Sequence, residues 1–311
     1  MRAWLHPLIE AAARLCFAYL RDQYGIRRRR PLARYLWRSV RFLTLGRRQP
    51  FIDADMDGLS VVVSTADRTI ARSVYAAGDW DPLLVGTAMR ALAESGWRPA
   101  DRDFIEVGAN FGVYCLAAVA RQGFARALAY EPDPASYALL VENIRRNQLA
   151  GRVIAHNAAL SNAPGELILS RGRRNAGDNR IVSGSVQLDR HARDSVRVPA
   201  TTFDEQVAQG NIDPARIGLV WLDVQGHEPD MLEGAGLLLA SHSPVVVEYS
   251  SAVLGAAGRA RLDRLIGGHF NRLVDLGWST LSDRVEFWPA EAVEHLAPAG
   301  RPIETDLLLL H

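Results

Sequence analysis

Two short stretches carry side chains able to do chemistry. In DFIEVGANFGVY an apolar run ends around Glu106, and Gly108 and Gly112 bracket Asn110 before a helical pattern begins. Glycine there removes side chains where the backbone must turn and where a ligand could come close. The amides that open the following helix would face that ligand. Glu131 directly follows the next apolar run, Ala127–Tyr130, and is placed to accept hydrogen bonds from the two hydroxyls of a ribose. The second stretch, WLDVQGHE, also ends an apolar run and offers Asp223, His227 and Glu228. Asp223 or His227 could serve as general base. An imidazole, with an ordinary pKa of about 6.5, needs little tuning to work near neutral pH. Glu228 opens a short helix, where it could instead complement the helix dipole.

A nucleoside fits between the first two turns, and the pattern narrows its kind. A dinucleotide site uses G-x-G-x-x-G, whose second glycine admits a pyrophosphate. Here Asn110 takes that position and Val113 the third. The E-x-G-x-x-x-G turn brings a carboxylate toward the ligand, which suits a nucleoside whose other end is cationic or zwitterionic. S-adenosylmethionine is such a molecule. Two rivals stay open: a nicotinamide-dependent oxidoreductase, which Asn110 disfavours, and a non-catalytic nucleoside-binding module that regulates a partner. Asp223, His227 and Glu228 are permissible ligands for a divalent metal gathering a vicinal diol. Nothing in the sequence fixes their geometry, and no metal is assigned. HEPDM is not a zinc-protease helix, since Met231 stands where the second histidine must and Pro229 lies inside it.

These residues need a rigid scaffold. Phe104–Val107, Ala127–Tyr130, Val153–His156, Leu219–Leu222 and Val245–Val247 read as short strands, with helices over Tyr114–Arg121 and Pro134–Asn147. Continuous apolar strands alternating with helices predict an α/β fold, a mostly parallel sheet covered on both faces. Leu59–Ser64 reads as an earlier strand and Trp80–Glu94 as a helix closed by Gly96. Arg284–Trp288 and Asp306–Leu310 have no long helix between them and are expected to form an antiparallel edge pair. Gly172–Arg197 is polar and reads as a long loop or lid. Its Asn175, Asp178, Asn179 and Arg180 offer hydrogen-bonding groups suited to a sugar or another polyol.

Charge divides the chain. All of the 36 basic residues are arginine, so a Schiff-base lysine and a Walker-type phosphate loop are both excluded. Residues 1–50 hold twelve arginines against Glu10 and Asp22, a charge of about +10 that leaves about −9 on the rest. Leu5, Leu8, Ile9, Ala12, Leu15 and Tyr19 recur at helical spacing, as do Leu32, Tyr35, Leu36, Val40 and Leu43, on either side of the Arg27–Arg30 run. Such a basic pair of helices suits peripheral contact between residues 1–45 and an anionic membrane. It suits equally a packed face on the body or on a second copy in a homo-oligomer. The acidic body disfavours duplex nucleic acid and leaves a small-molecule or glycan acceptor. Cys16 and Cys115 form no framework, and no apolar run reaches the ~18 residues of a membrane span, so a cytoplasmic location is expected, peripheral to the membrane at most. The expected organisation is a basic helical extension over 1–50, a lead-in strand and helix over 51–100, and the ligand-binding domain over 101–311.

The runs DFIEVGANFGVY, LAYEPDPASYALLVENIRRN, NAALSNAPGEL, VPATTFDE, IGLVWLDVQGHEPDMLEGA and PVVVEYS resemble, in order and spacing, the FkbM-type methyltransferase family. With the lead-in SVYAAGDWDP, the similarity spans roughly Ala71–Ser250. The resemblance implies a class I methyltransferase (Rossmann-like) fold and S-adenosylmethionine as donor. It also implies, as the usual reaction, O-methylation of a hydroxyl on a carbohydrate, glycolipid or polyketide-like metabolite. By position it implies that Glu106, Gly108, Asn110 and Gly112 form the methionine-side turn, that Glu131 holds the ribose, and that Asn157 and Ala158 lie near the adenine. Many members read K-I-D-V-E-G-x-E at the fourth strand. This chain keeps Asp223, Gly226 and Glu228 but has Trp221 for the lysine and Gln225 for the glutamate, a departure in keeping with a different acceptor.

Overall fold

The structure, a computed structural model, describes residues 31–173, 175–182, 192–296 and 304–311. The helical pattern of Leu5–Tyr19, the Arg27–Arg30 run and part of Gly172–Arg197 lie outside the described residues. The chain divides into two compact units with the boundary between Val85 and Gly86, which falls between the breaks at 50 and 100 that composition suggests.

In the first unit, α1 (Leu32–Leu45) buries Tyr35, Ser39 and Phe42. β1 (Phe51–Met56) and β2 (Leu59–Ser64) form an antiparallel hairpin. Its two turn residues, Asp57 and Gly58, both have positive φ, the Asp-Gly signature that matches the twist of the flanking strands. α2 (Ile70–Ala77) closes the unit: Arg72 donates to Tyr35 Oη at 2.9 Å and Ser39 Oγ at 3.3 Å. Another face of α1 exposes Leu32, Trp37, Val40 and Leu43. α3 (Pro82–Glu94) spans the boundary.

The second unit alternates strands and helices: β3 (Asp103–Val107), α4 (Val113–Arg121), β4 (Arg126–Tyr130), α5 (Pro134–Arg146) and β5 (Val153–His156). Then come β6 (Ala159–Leu160), β7 (Gly165–Gly172), β8 (Arg180–Val182), β9 (Ala192–Thr201), α6 (Phe203–Ala208), β10 (Ile217–Leu222), α7 (Glu228–Glu233) and β11 (Val245–Ser250). The final strands are β12 (Arg272–Asp275), β13 (Trp288–Pro289) and β14 (Glu304–Leu310). Among the described residues the main sheet has eight strands in the order β13-β12-β14-β11-β10-β3-β4-β5. Strands β5, β4, β3, β10 and β11 run parallel, and β14 is antiparallel to both of its neighbours. This is the class I methyltransferase order. The chain leaves β3 outward through β4 and β5, then returns to lay β10 on the other side of β3. Ligands of such sheets bind at that reversal, beyond the carboxyl ends of the strands. All residues of β3 and β10 are buried, as their continuous apolar runs require of strands covered on both faces.

Two expectations are corrected. Antiparallel pairing does close this end of the sheet, but Arg284–Trp288 does not pair with Asp306–Leu310. Leu307–Leu310 are all buried, so β14 needs a neighbour on each side and lies between β11 and β12; of the earlier segment only the end pairs, as β13 on β12. Gly172–Arg197 is not a continuous loop either. It contributes β8 and most of β9 to a second, four-stranded sheet of order β6-β9-β7-β8. Val196, Val198 and Ala200 turn inward on alternate positions of β9, a period of two that arginine-rich composition disguises. Of the side chains expected to meet a sugar, Asn175 Nδ2 donates to Asp178 Oδ1 at 2.7 Å, and Asn179 Oδ1 accepts from the Gly172 amide at 2.9 Å.

Candidate functional site

The first wall of the site is the turn after β3. Glu106 is 2% exposed, and its Oε2 accepts the Cys115 N–H at 2.8 Å. Burial pushes this carboxyl up to about 8, against the pull of the Cys115 and Tyr114 amides. The acid therefore faces the positive end of α4, where it satisfies amides that have no partner in the helix. The chain then passes Gly108 (φ 92°), Asn110 (φ 49°) and Gly112 (φ 96°). At Gly108 space as well as φ demands glycine. A Cβ on Gly108 would lie 1.9 Å from the carbonyl oxygen of Asp223, and one on Gly112 2.7 Å from Leu140 Cδ1 of α5. The neighbouring chain itself, before any ligand, keeps this turn bare.

Glu131 ties that turn to the end of β4. Its Oε2 accepts the Asn110 N–H and its Oε1 the Asp133 N–H, both at 2.7 Å. Burial raises it to about 7. Each oxygen retains a second lone pair with which to accept from a ligand hydroxyl. Asn157 Nδ2 donates to the carbonyls of Glu131 and Pro132 at 2.8 and 3.1 Å, which holds the end of β5 to the same turn. Ala158 follows, half-buried. Arg171 of β7 donates to Asp133 Oδ1 at 2.8 Å, so the second sheet braces the start of α5.

The second wall lies at the tips of β10 and β11. The Asp223 amide donates to the Val107 carbonyl at 3.1 Å, which sets it beside the Gly108 turn. Gln225 (φ 54°) and Gly226 (φ 98°) reverse the chain. Gln225 Nε2 donates both to Asp223 Oδ1 at 3.2 Å and to Glu248 Oε2 at 2.8 Å. Burial raises Asp223. Burial, then the charges of Asp223, Glu228, Asp306 and Glu304, push Glu248 up to about 10. Glu228 is 1% exposed; its Oε1 accepts the amides of Gly226 at 3.0 Å and Val224 at 3.2 Å, holding the turn, and burial raises it to about 7. His227 is buried, with Nε2 2.9 Å from Ser161 Oγ and Nδ1 3.7 Å from Asp230 Oδ2. Burial pushes its pKa down. Trp221, two residues before Asp223, packs its ring on Tyr114 at 4.6 Å between centroids.

Charge sets the chemistry of this place. Glu106, Glu131, Asp223, Glu228 and Glu248 all have raised pKa values. Among the described residues none of the five forms an ion pair with an arginine or histidine. Acids that are desolvated and lack an internal cation make a pocket complementary to a cationic ligand. Asn110 Nδ2 adds a buried donor with no partner, ready for a ligand oxygen. The residues thus fit a nucleoside with a cationic, amino-acid-like end. Among the described residues no three His, Cys, Asp or Glu side chains are grouped to hold a metal ion.

The family model for the methyltransferase FkbM domain matches residues 106–261, half of the chain. The chain belongs to that family. The FkbM match opens on Glu106 and contains Glu131, Asp223, Gln225 and Glu248, so both walls lie within it. The chain is similar to the hexuronic acid methyltransferase AglP of Haloferax volcanii, 28% identical over 149 residues, which are 48% of this chain and 56% of that protein. It thus spans just over half the length of that curated relative. Among solved structures it is similar to P. horikoshii TYW2 in complex with MeSAdo, with a TM-score of 0.41, 12% identity, and 84% of this chain and 72% of that one covered. It is also similar to the O-methyltransferase from Bacillus cereus in complex with SAH, with a TM-score of 0.40, 10% identity, and 75% and 83% covered.

Within this FkbM domain the fold brings Glu106, Gly108, Asn110, Glu131 and Asp223 together at one set of strand tips. It sets His227 apart, with Nε2 at 2.9 Å from Ser161 Oγ and Nδ1 at 3.7 Å from Asp230 Oδ2, beyond hydrogen-bond reach. Glu248 is the residue that sequence reasoning missed. Its signal was present, an acid directly after the apolar run Val245–Val247, the rule that singled out Glu131 after Ala127–Tyr130.

Proposed function

We propose that this FkbM-family protein methylates an oxygen of a sugar or polyol acceptor with S-adenosylmethionine as donor. The observation that carries this reading is the first wall: a bare turn at the strand reversal, ringed by carboxyl groups that, among the described residues, pair with no arginine or histidine. Glu131 would accept from the ribose hydroxyls, Asn110 Nδ2 would donate to the carboxylate of the amino-acid end, and Glu106 with Asp223 would balance its positive charges. Asn157 and Ala158 border the place left for the adenine. When bound, the donor supplies a methyl group already activated by a positively charged sulfur.

The chain's own task is to align the acceptor and take its proton. Asp223 stands between the two walls, partly exposed, beside Gly108. As the new O–C bond forms and the C–S pair stays on sulfur, the hydroxyl proton passes to the Asp223 carboxylate and then to solvent. Such a base is worth about 10²–10⁴-fold in rate. His227 and Glu228 support this geometry, the one through Ser161 and the other through the turn amides. The name of the Haloferax relative favours a carbohydrate acceptor. Calorimetry and isotope-labelled donor test the reading together. S-adenosylmethionine should bind and label one class of metabolite, and Asp223→Asn should cut kcat by about 100-fold, well beyond any loss of donor affinity from the missing charge. Binding of nicotinamide dinucleotide in place of the donor would sink it.

A further inference from the structure

Asp223 and Glu248 follow one another across neighbouring parallel strands, since Trp221 is level with Val246 and Leu222 with Val247. Gln225, in a left-handed conformation at φ 54°, brings one side-chain nitrogen within hydrogen-bond reach of both acids, 3.2 Å from Asp223 Oδ1 and 2.8 Å from Glu248 Oε2. Among the described residues, the charged groups that act on this pair are themselves acids. Glu106 of β3, Glu131 of β4 and Glu228 of α7 sense Asp223, and Glu304 and Asp306 face Glu248 from β14. Among the described residues neither Asp223 nor Glu248 pairs with an arginine or histidine. An amide donor steadies an ionised oxygen but brings no charge, so it cannot neutralise two carboxylates at once. A single proton held between the two members would relieve that excess of charge.

We propose that this Gln225-clasped pair restricts the acceptor to an uncharged hydroxyl of a sugar or polyol, and that Glu248 is a specificity-determining residue. The proposal rests on the methyl-transfer reading above. A neutral hydroxyl gives its proton to the ionised oxygen of the pair as the O–C bond forms and the C–S bond breaks, the electron pair remaining on sulfur. An acceptor with a carboxylate beside the reacting oxygen would add another negative charge beside a desolvated acidic pair that, among the described residues, has no arginine or histidine partner. Uronic acids are rejected on this ground, and neutral sugars are admitted.

The test uses the full chain, isotope-labelled S-adenosylmethionine and an extract of the source cells split on an anion exchanger. Label should enter the unretained, neutral fraction at least tenfold more than the retained one. Label concentrated in uronic acids of the retained fraction overturns the proposal while leaving methyl transfer standing. Donor binding by calorimetry with no label in either fraction overturns the methyl-transfer reading, and the proposal with it. Gln225→Lys then sets a cation between the two acids. The neutral-to-anionic labelling ratio should fall tenfold or more, a gain that general damage to the turn does not produce. A ratio unmoved in a variant that still binds donor removes the pair from acceptor choice.

Discussion

The two walls of the site hold their acids in different ways. On the β3–β4 side the main chain does the holding: Glu106 accepts the Cys115 amide, and Glu131 those of Asn110 and Asp133. On the β10–β11 side main-chain amides hold only Glu228, while Asp223 and Glu248 meet over one side-chain nitrogen, that of Gln225. Main-chain donors are present whatever the sequence and fix position, as a binding surface requires. A side-chain clasp can be altered by one substitution and leaves its acids able to exchange a proton, as a reacting surface requires. On the proposed reading, the first wall binds the donor and the second reacts.

The largest expected effect breaks the first wall. Gly108→Val drives a Cβ into the Asp223 carbonyl at a left-handed position, and should lower the melting temperature by about 10 °C or more and abolish donor binding. A variant that melts like the parent but no longer binds donor would show that the glycine serves the ligand alone. Next, Glu131→Gln should raise the donor's Kd roughly tenfold, the worth of about 1.5 kcal/mol for a hydrogen bond to a charged group. An unchanged constant in calorimetry would take Glu131 away from the ribose.

A third effect belongs to both walls. Glu106 at about 8, and Glu131 and Glu228 at about 7, stand above the ordinary 4.5, so the folded chain holds protons that the unfolded chain releases. The stability from this source is complete below pH 4.5 and is lost as pH rises through 7 to 8. The donor-free protein should melt several degrees lower at pH 9 than at pH 5, while the cationic donor, which favours the ionised acids, binds more tightly over the same range. Scanning calorimetry with and without donor measures both; a melting point that climbs with pH contradicts the picture of unneutralised acids. The smallest effect sharpens the second wall. His227→Gln should cost about 1 kcal/mol of stability, through the Ser161 contact, and leave kcat within about threefold. A hundredfold loss in a steady-state assay would return the imidazole to the chemistry.

Much of this was legible in the sequence. β3, β4, β5, β10 and β11 announced themselves as apolar runs because strands buried on both faces need no polar alternation. The turn from Glu106 to Gly112 and the acid at 131 were legible for the same reason, each marking the end of such a run. What stayed hidden was pairwise. His227 reads as a base because Asp223 is near it in the chain, whereas its Ser161 partner lies far off in sequence. Glu248 needed the knowledge that β11 ends beside β10. β9 was concealed by arginine and serine on its outward positions, and β12 by its four-residue length. Gly108 reads as space for a ligand, and only the fold shows that the space already belongs to Asp223.

That last contact has a consequence for anyone who would rebuild the protein. Residue 108 cannot gain even a methyl group unless the 223 loop retreats, so the Glu106–Gly112 turn and the turn that follows Asp223 abut as one solid joint. Transplanting the second segment alone from a relative with other tastes would leave a gap or a collision at that seam. The two must travel as a single graft.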